Sequence, residues 1–336
     1  MSGRGLKTNE KVLVLGADGL LGSHLVRRLL ERGFGVRVFL QPQRRSPTLD
    51  NLDLGRRTGD LSGNAKDLVE AVKGCAYVFH LAAITDLWAD ADAVWKVNFD
   101  GTLRVLDACL AAGVRRLVFV GSASSFQFGT LQNPGDEHGV FPKAYQGIPY
   151  MESKHRAAEL VRQYVRERNL DAVIVAPTFM LGDLDANPSS GELIRQFIKR
   201  KLRFTSAGGR NFAHASDVAA VIVAALDQGR RGETYLAGGQ NMTYFDFFTR
   251  VARLAGTHPP VAALPGGAVL AFGTIGSVLG KITGKRPPID ARMARLSLLG
   301  TYYRSDKAIA ELAMPQTPIE VGIADTIRGL KSFGHI

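Results

Sequence analysis

Tyr150 and Lys154 stand four residues apart in the segment Tyr150-Met151-Glu152-Ser153-Lys154, a spacing that puts a phenol and an ammonium on one face of a helix. A free tyrosine ionises near pH 10, too high for acid/base work at neutral pH, and a neighbouring cation brings the phenolate within reach. The pair can pass a proton to or from one carbonyl or alcohol. Upstream, the apolar run Leu117–Val120 leads into Gly121-Ser122-Ala123-Ser124-Ser125. A serine hydroxyl there could bond the same oxygen as charge develops on it, although serines after a strand are also ordinary turn formers.

A second chemical feature lies near the N-terminus, in Gly16-Ala17-Asp18-Gly19-Leu20-Leu21-Gly22. In such a turn one glycine makes the tight bend, one lets a pyrophosphate approach the backbone, and one lets helix and strand pack closely. The helix N-terminus that follows faces the anion.

These residues need a scaffold, and the first half of the chain predicts one. Val12–Leu15, Val36–Leu40, Tyr77–Leu81, Leu117–Val120 and Ala172–Val175 read as strands. Between them, amphipathic patterns include a helix with Leu21, Leu25, Leu29, Val26 and Leu30 on one face, stopped at Gly33, and others around Ala65–Val72, Val94–Ala112 and Met151–Arg166. Strand and helix in alternation predict an α/β, doubly wound parallel sheet. Residues 10–178 are expected to form a dinucleotide-binding Rossmann domain to which 211–240 return. A smaller, interleaved C-terminal substrate lobe is expected mainly from 179–210 and 241–336.

The chain has 336 residues, 46% of them apolar, and a formal net charge of +11. A basic balance suits nucleic acid, an anionic membrane or a phosphorylated ligand alike. Its basic runs, Arg56-Arg57, Arg115-Arg116 and Lys199-Arg200-Lys201, are short and scattered, and no nucleic-acid-binding signature accompanies them, so no nucleic-acid partner is expected. Cys75 and Cys109 lack metal-ligand spacing and read as buried thiols; no metal site is expected. The polar start MSGRGLKTNE has no secretory apolar run, which points to the cytoplasm.

The order of these motifs resembles the extended short-chain dehydrogenase/reductases of the NAD-dependent epimerase/dehydratase family. The Gly-x-x-Gly-x-x-Gly turn is followed by Asp60 in Gly59-Asp60-Leu61, by His80-Leu81-Ala82-Ala83, by Asn98 ahead of Gly101-Thr102, and by Tyr150 and Lys154. Ala176-Pro177-Thr178 and Arg210-Asn211-Phe212-Ala213-His214-Ala215-Ser216-Asp217 continue the likeness almost to the end of the chain. Dihydroflavonol reductase-like, 3β-hydroxysteroid dehydrogenase-like and hopanoid-associated epimerase-like proteins carry the nearest patterns. The resemblance implies cofactor contacts at Gly16, Gly19, Leu20, Leu21, Asp60, Leu61, Ala82, Ala83, Tyr150, Lys154, Pro177 and Thr178. It gives Asn98 a supporting place beside the active-site helix, and counting back from Gly129 makes Ser124 the catalytic hydroxyl, with Ser122 and Ser125 as alternatives. It also implies a homodimer through the helices that include Val94–Ala112 and Met151–Arg166.

The choice of dinucleotide falls at the end of the second strand, where an acid would bond the ribose of NAD and an arginine would accept the extra phosphate of NADP. Gln41, Arg44 and Arg45 stand there, with no acid until Asp50. NADP(H) is favoured and NAD(H) is the alternative, with Asp18 an awkward neighbour for the phosphate.

The expected reaction is hydride transfer between nicotinamide and a carbonyl or alcohol of a hydrophobic small molecule. A nucleotide-sugar epimerase or dehydratase, with Arg210 on a second pyrophosphate, is one alternative and a non-catalytic dinucleotide sensor another. No charged residue occurs from Val261 to Gly280. This stretch reads either as an apolar lid over the substrate or as a peripheral membrane contact flanked by Lys281, Lys285 and Arg286.

Overall fold

The structure, a computed structural model, describes residues 10–285, 287 and 289–336. The first nine residues of the polar start and Arg286 therefore lie outside the described residues.

The first half runs β1 (Lys11–Leu15), α1 (Leu20–Glu31), β2 (Gly35–Leu40), β3 (Gly55–Thr58), α2 (Ala65–Val72), β4 (Tyr77–His80), α3 (Ala91–Trp95), α4 (Gly101–Ala111), β5 (Arg116–Val120), α5 (Pro149–Glu167) and β6 (Ala172–Pro177). There follow β7 (Phe179–Leu181), α6 (Gly191–Arg200), β8 (Phe204–Ser206), β9 (Gly209–His214), α7 (Ala215–Asp227), β10 (Thr234–Ala237), β11 (Gln240–Thr243) and α8 (Tyr244–Ala255). The chain closes with β12 (Ala262–Leu264), α9 (Gly266–Thr283), α10 (Ala291–Ser297), β13 (Gly300–Thr301), α11 (Asp306–Leu312) and α12 (Ile319–Ser332).

Seven parallel strands make the main sheet in the order β10-β6-β5-β4-β1-β2-β3. This is the doubly wound sheet that the sequence predicts. Alternate residues of one strand feed opposite faces: Val12 and Val14 enter a core shared with α1 and α7, while Leu13 and Leu15 enter one shared with α2, α4 and α5. Both faces being covered explains why the inner strands are apolar throughout. Strand order reverses between β1 and β4, opening a crevice beyond their C-terminal ends where such folds bind ligands.

The sequence pattern does not reveal β3. Gly55-Arg56-Arg57-Thr58 is exposed along its whole length, and charged side chains at a sheet edge discourage further pairing. A second departure lies in the helix expected over Val94–Ala112, which carries a π-turn at Lys96–Asp100 between α3 and α4.

The smaller lobe has its own core, in which α6, α8 and α12 pack on β7 and β9. Phe212 and Phe247 stack there with ring centroids 4.1 Å apart. Pro265 stands at the N-cap of α9, so the Pro265-Gly266-Gly267 sequence starts this helix.

Candidate active site

The glycine turn joins β1 to α1 and shows a different constraint at each glycine. Gly16 has φ +84°, and a Cβ there would stand 2.7 Å from the Ala82 nitrogen. The turns after β1 and β4 thus touch backbone to backbone. A Cβ on Gly22 would overlap the Gly16 carbonyl, so this glycine lets helix and turn pack. Gly19 differs: its Cβ would meet only the Gly16 oxygen, at 3.7 Å. Open space at Gly19 and an α1 N-terminus with no side-chain cap leave the backbone amides around Leu20 and Leu21 a place for an anion. A dinucleotide's pyrophosphate fits this cradle.

Polar contacts link the glycine turn to the loops after β2 and β3. Arg44 Nε lies 2.5 Å from Asp18 Oδ2, so the acid in the glycine turn is neutralised by the basic loop after β2. Gln41 accepts weakly from Arg44 at 3.5 Å and donates to Asp60 at 3.4 Å. Hydrogen bonds from the Ser62 hydroxyl and amide hold Asp60 below the usual carboxylate range. Arg45 is exposed and has no ion pair among the described residues. The loop itself is anchored, because Ser23 on α1 donates to Thr48 at 2.7 Å and Arg27 to the Thr48 carbonyl at 2.8 Å. Leu61 turns its side chain into the core, and Arg104 occupies its carbonyl.

Around the reaction centre, Pro149 opens α5 and places Tyr150 in its first turn, with Lys154 one turn on. Lys154 is buried, donates to the Val120 carbonyl at 2.6 Å and lies 4.5 Å above the Phe119 ring. Burial lowers its ammonium from 10.5 to about 7. Among the described residues no carboxylate pairs with it. Burial also pushes the Tyr150 phenol above its ordinary value, against the downward pull of a hydrogen bond with Ser122 and the charge of Arg210.

The serine cluster resolves into distinct environments. Ser122 caps a short turn at Ala123–Ser125 and shares a 2.8 Å hydroxyl contact with Ser124. It is therefore Ser122 that meets Tyr150, with Ser124 behind it. The Ser125 hydroxyl is buried without a partner among the described residues, beside a cavity lined by Glu137, His155 and Lys307 but not by Tyr150.

Asn98 sits in the π-turn and spends its side chain on positioning. Its Nδ2 donates to the Ile84 carbonyl at 3.0 Å and to Ser153 Oγ at 3.1 Å, while its Oδ1 accepts from the Ile84 amide at 2.8 Å. It thereby clamps the segment carrying Ala82 and Ala83 to α5, just before Lys154. His80 bonds Thr102 at 3.0 Å, and burial, then the Lys154 charge, lowers it to about 3. It stays neutral. Pro177 ends β6, and Thr178 donates to Asn211 at 2.8 Å.

The tyrosines around Arg210 have no signal in the sequence. Arg210 donates to the Tyr244 hydroxyl at 2.6 Å and lies 5.0 Å above Phe179, within the influence of Tyr145 and Tyr303. Strand β9 brings it there from sixty residues beyond Tyr150. An apolar cluster completes the surroundings: Tyr145, Ile148 and Leu296, joined by Leu87, Phe128, Met151 and Met293.

The sequence model of the NAD dependent epimerase/dehydratase family matches residues 12–238. The chain belongs to this family. Two relatives extend the likeness over nearly the whole length. Sterol demethylase protein B of Methylococcus capsulatus is 30% identical, covering 96% of this chain and 99% of that one. A 4-hydroxy-2-methyl-3-oxo-4-farnesyl-3,4-dihydroquinoline-1-oxide ketoreductase of Stigmatella aurantiaca is 28% identical over 90% of this chain and 91% of its own. The crystal structure of gox2253 superposes with a TM-score of 0.86 at 30% identity, covering 98% of this chain and all of that one. As a member of the epimerase/dehydratase family the chain is an oxidoreductase of the short-chain dehydrogenase/reductase type.

Proposed function

We propose that this chain is a carbonyl reductase or alcohol dehydrogenase acting on a hydrophobic small molecule, with Tyr150 as its acid/base. One observation carries the reading: a buried lysine without an acid partner stands one helical turn from a tyrosine that meets Ser122 and faces Arg210. In reduction Tyr150 passes its proton to the forming alkoxide, while Ser122, backed by Ser124, holds that oxygen. Lys154 and Arg210 supply positive charge that favours the phenolate left behind. The bound dinucleotide supplies or accepts the hydride. Gly16, Gly19, Leu20, Leu21, Ala82, Ala83, Pro177 and Thr178 would hold it. The apolar cluster at the start of α5 supports a hydrophobic substrate, as does the farnesylated substrate in the name of the Stigmatella relative.

We assign the adenosine end to NADP(H) in preference to NAD(H). Support comes from the absence of an acid at the end of β2, from the exposed Arg45, and from Arg44, which already shields Asp18. Arg210 favours a second reading, since a half-buried guanidinium with no carboxylate partner among the described residues would also suit the phosphate of a nucleotide sugar.

Thermal-shift titration with NAD, NADH, NADP and NADPH is the test, because a ligand at 100 times its dissociation constant adds about 2.7 kcal/mol. NADPH is expected to stabilise more than NADH, and Tyr150→Phe to keep that shift while turnover of a hydrophobic ketone falls by about 10² to 10⁴. No shift with any dinucleotide refutes the reading. A shift accompanied by tight UDP or dTDP binding in calorimetry moves the assignment to the epimerases.

A further inference from the structure

We propose that α9 is a membrane-docking helix that lays the smaller lobe on an anionic lipid surface. The helix has two unlike faces. Gly273, Gly276 and Gly280 line one side, where an added Cβ would collide with Ala294, overlap the Ile289 carbonyl, and approach Pro287 Cδ to 3.1 Å, respectively. Through these glycines α9 seats closely on Pro287, Ile289 and Ala294. The other side carries Phe272, Ile275, Leu279 and Ile282 at i, i+3, i+7 and i+10, flanked by Val278, and these five side chains are between 52% and 75% exposed. A continuous stripe of bulky apolar side chains facing water marks an interaction surface, whereas single exposed leucines do not.

The polar atoms on the helix are already engaged. Thr274 and Thr283 donate back to the Leu270 and Leu279 carbonyls, and Ser277 accepts from the Ala291 amide. The two threonine hydroxyls thus have acceptors within the helix, which suits an apolar medium. At about 1.5 Å per residue the 18 residues would almost cross a hydrocarbon core of about 30 Å. Because one side is held against Pro287, Ile289 and Ala294 along much of its length, the helix lies in the interface and does not span it.

Charge selects the occupant. Lys281 and Lys285 are exposed at the C-terminal end of the helix, and the whole chain carries +11. A second copy on this surface would bring like charges together, whereas an anionic bilayer meets both the apolar stripe and the lysines. The docked helix is joined to the site, since Met293 and Leu296 of α10, on which α9 packs, join Ile148 and Met151 at the start of α5. Only this last link rests on the hydrophobic-substrate reading.

Flotation of the full chain, purified without detergent, with vesicles of phosphatidylcholine alone or with added phosphatidylglycerol tests the proposal. The protein is expected to float with the anionic vesicles and several-fold less with the neutral ones. Phe272→Ser, Ile275→Ser and Leu279→Ser together should cut flotation by about tenfold or more, and Lys281→Glu with Lys285→Glu should remove the preference for phosphatidylglycerol. Because these side chains are exposed, the variants should keep the wild-type melting temperature and turnover of a water-soluble ketone, so a failed docking is distinguishable from a failed reaction. No flotation with either vesicle, or unchanged flotation of the triple serine variant, overturns the proposal. A dimer that the triple variant dissociates overturns it in favour of a second copy.

Discussion

Lys154 carries the clearest physical consequence at the residue scale. Its ordinary value of 10.5 falls to about 7 through burial alone, so between those two pH values the unfolded chain binds more protons at this position than the folded one. Stability without dinucleotide therefore rises from pH 7 toward 10.5 on account of Lys154, and below pH 7 the full cost of burying the ammonium is present. Each unit of depression is worth about 1.4 kcal/mol. Lys154→Met fills much of the same space without charge and is expected to raise the melting temperature at pH 7 by about 2 °C or more, with the gap over wild type closing as pH approaches 10.5. Melting curves at several pH values check this; a constant gap would show that Lys154 is not desolvated. Tyr150 and Lys154 were legible because a helical spacing is a local property of sequence. Which of the three serines meets Tyr150 was not, since counting residues toward Gly129 cannot see that the turn at Ala123–Ser125 folds the Ser122 hydroxyl onto Ser124 and toward Tyr150. Nor does sequence show that Asp18, which looked unfavourable for a phosphate, meets Arg44.

Among the elements, the β1–α1 turn separates packing from binding. Gly22→Ala would drive a methyl into the Gly16 carbonyl and is expected to lower the melting temperature by several degrees, in line with about 1–3 kcal/mol of overpacking. Gly19→Ala has φ −80° and only one atom within reach, at 3.7 Å, so the fold should be unaffected. Its methyl occupies the space a pyrophosphate would use, and titration should show dinucleotide affinity weakened by about tenfold or more, roughly 1.4 kcal/mol. Equal melting losses in both variants would mean that Gly19 serves packing as well. The main strands were predictable to within a residue or so because burial on both faces writes continuous apolar runs. Strand β3 escaped because an exposed edge needs no apolar residue, and the π-turn escaped because its purpose, aiming Asn98 at Ile84 and Ser153, is met by contacts distant in sequence.

At the scale of the whole molecule, a second copy of the chain has an apolar surface other than α9 to use. Along the helical layer of α4 and α5, Leu103, Leu110 and Leu160 are half-buried at the margin of the second core, and the Tyr164 hydroxyl ties the two helices by donating to Asp107 at 2.7 Å. This layer mixes charges of both signs, Asp107 and Glu159 with Arg104 and Arg156, so two copies related by a two-fold axis can meet there without the repulsion expected at α9. Sedimentation velocity is expected to show a homodimer. Leu103→Glu with Leu160→Glu should yield a folded monomer that still floats with anionic vesicles, and the triple serine variant of α9 should remain a dimer that no longer floats. A wild-type monomer at micromolar concentration would refute the dimer and leave the lipid surface to account for α9 alone.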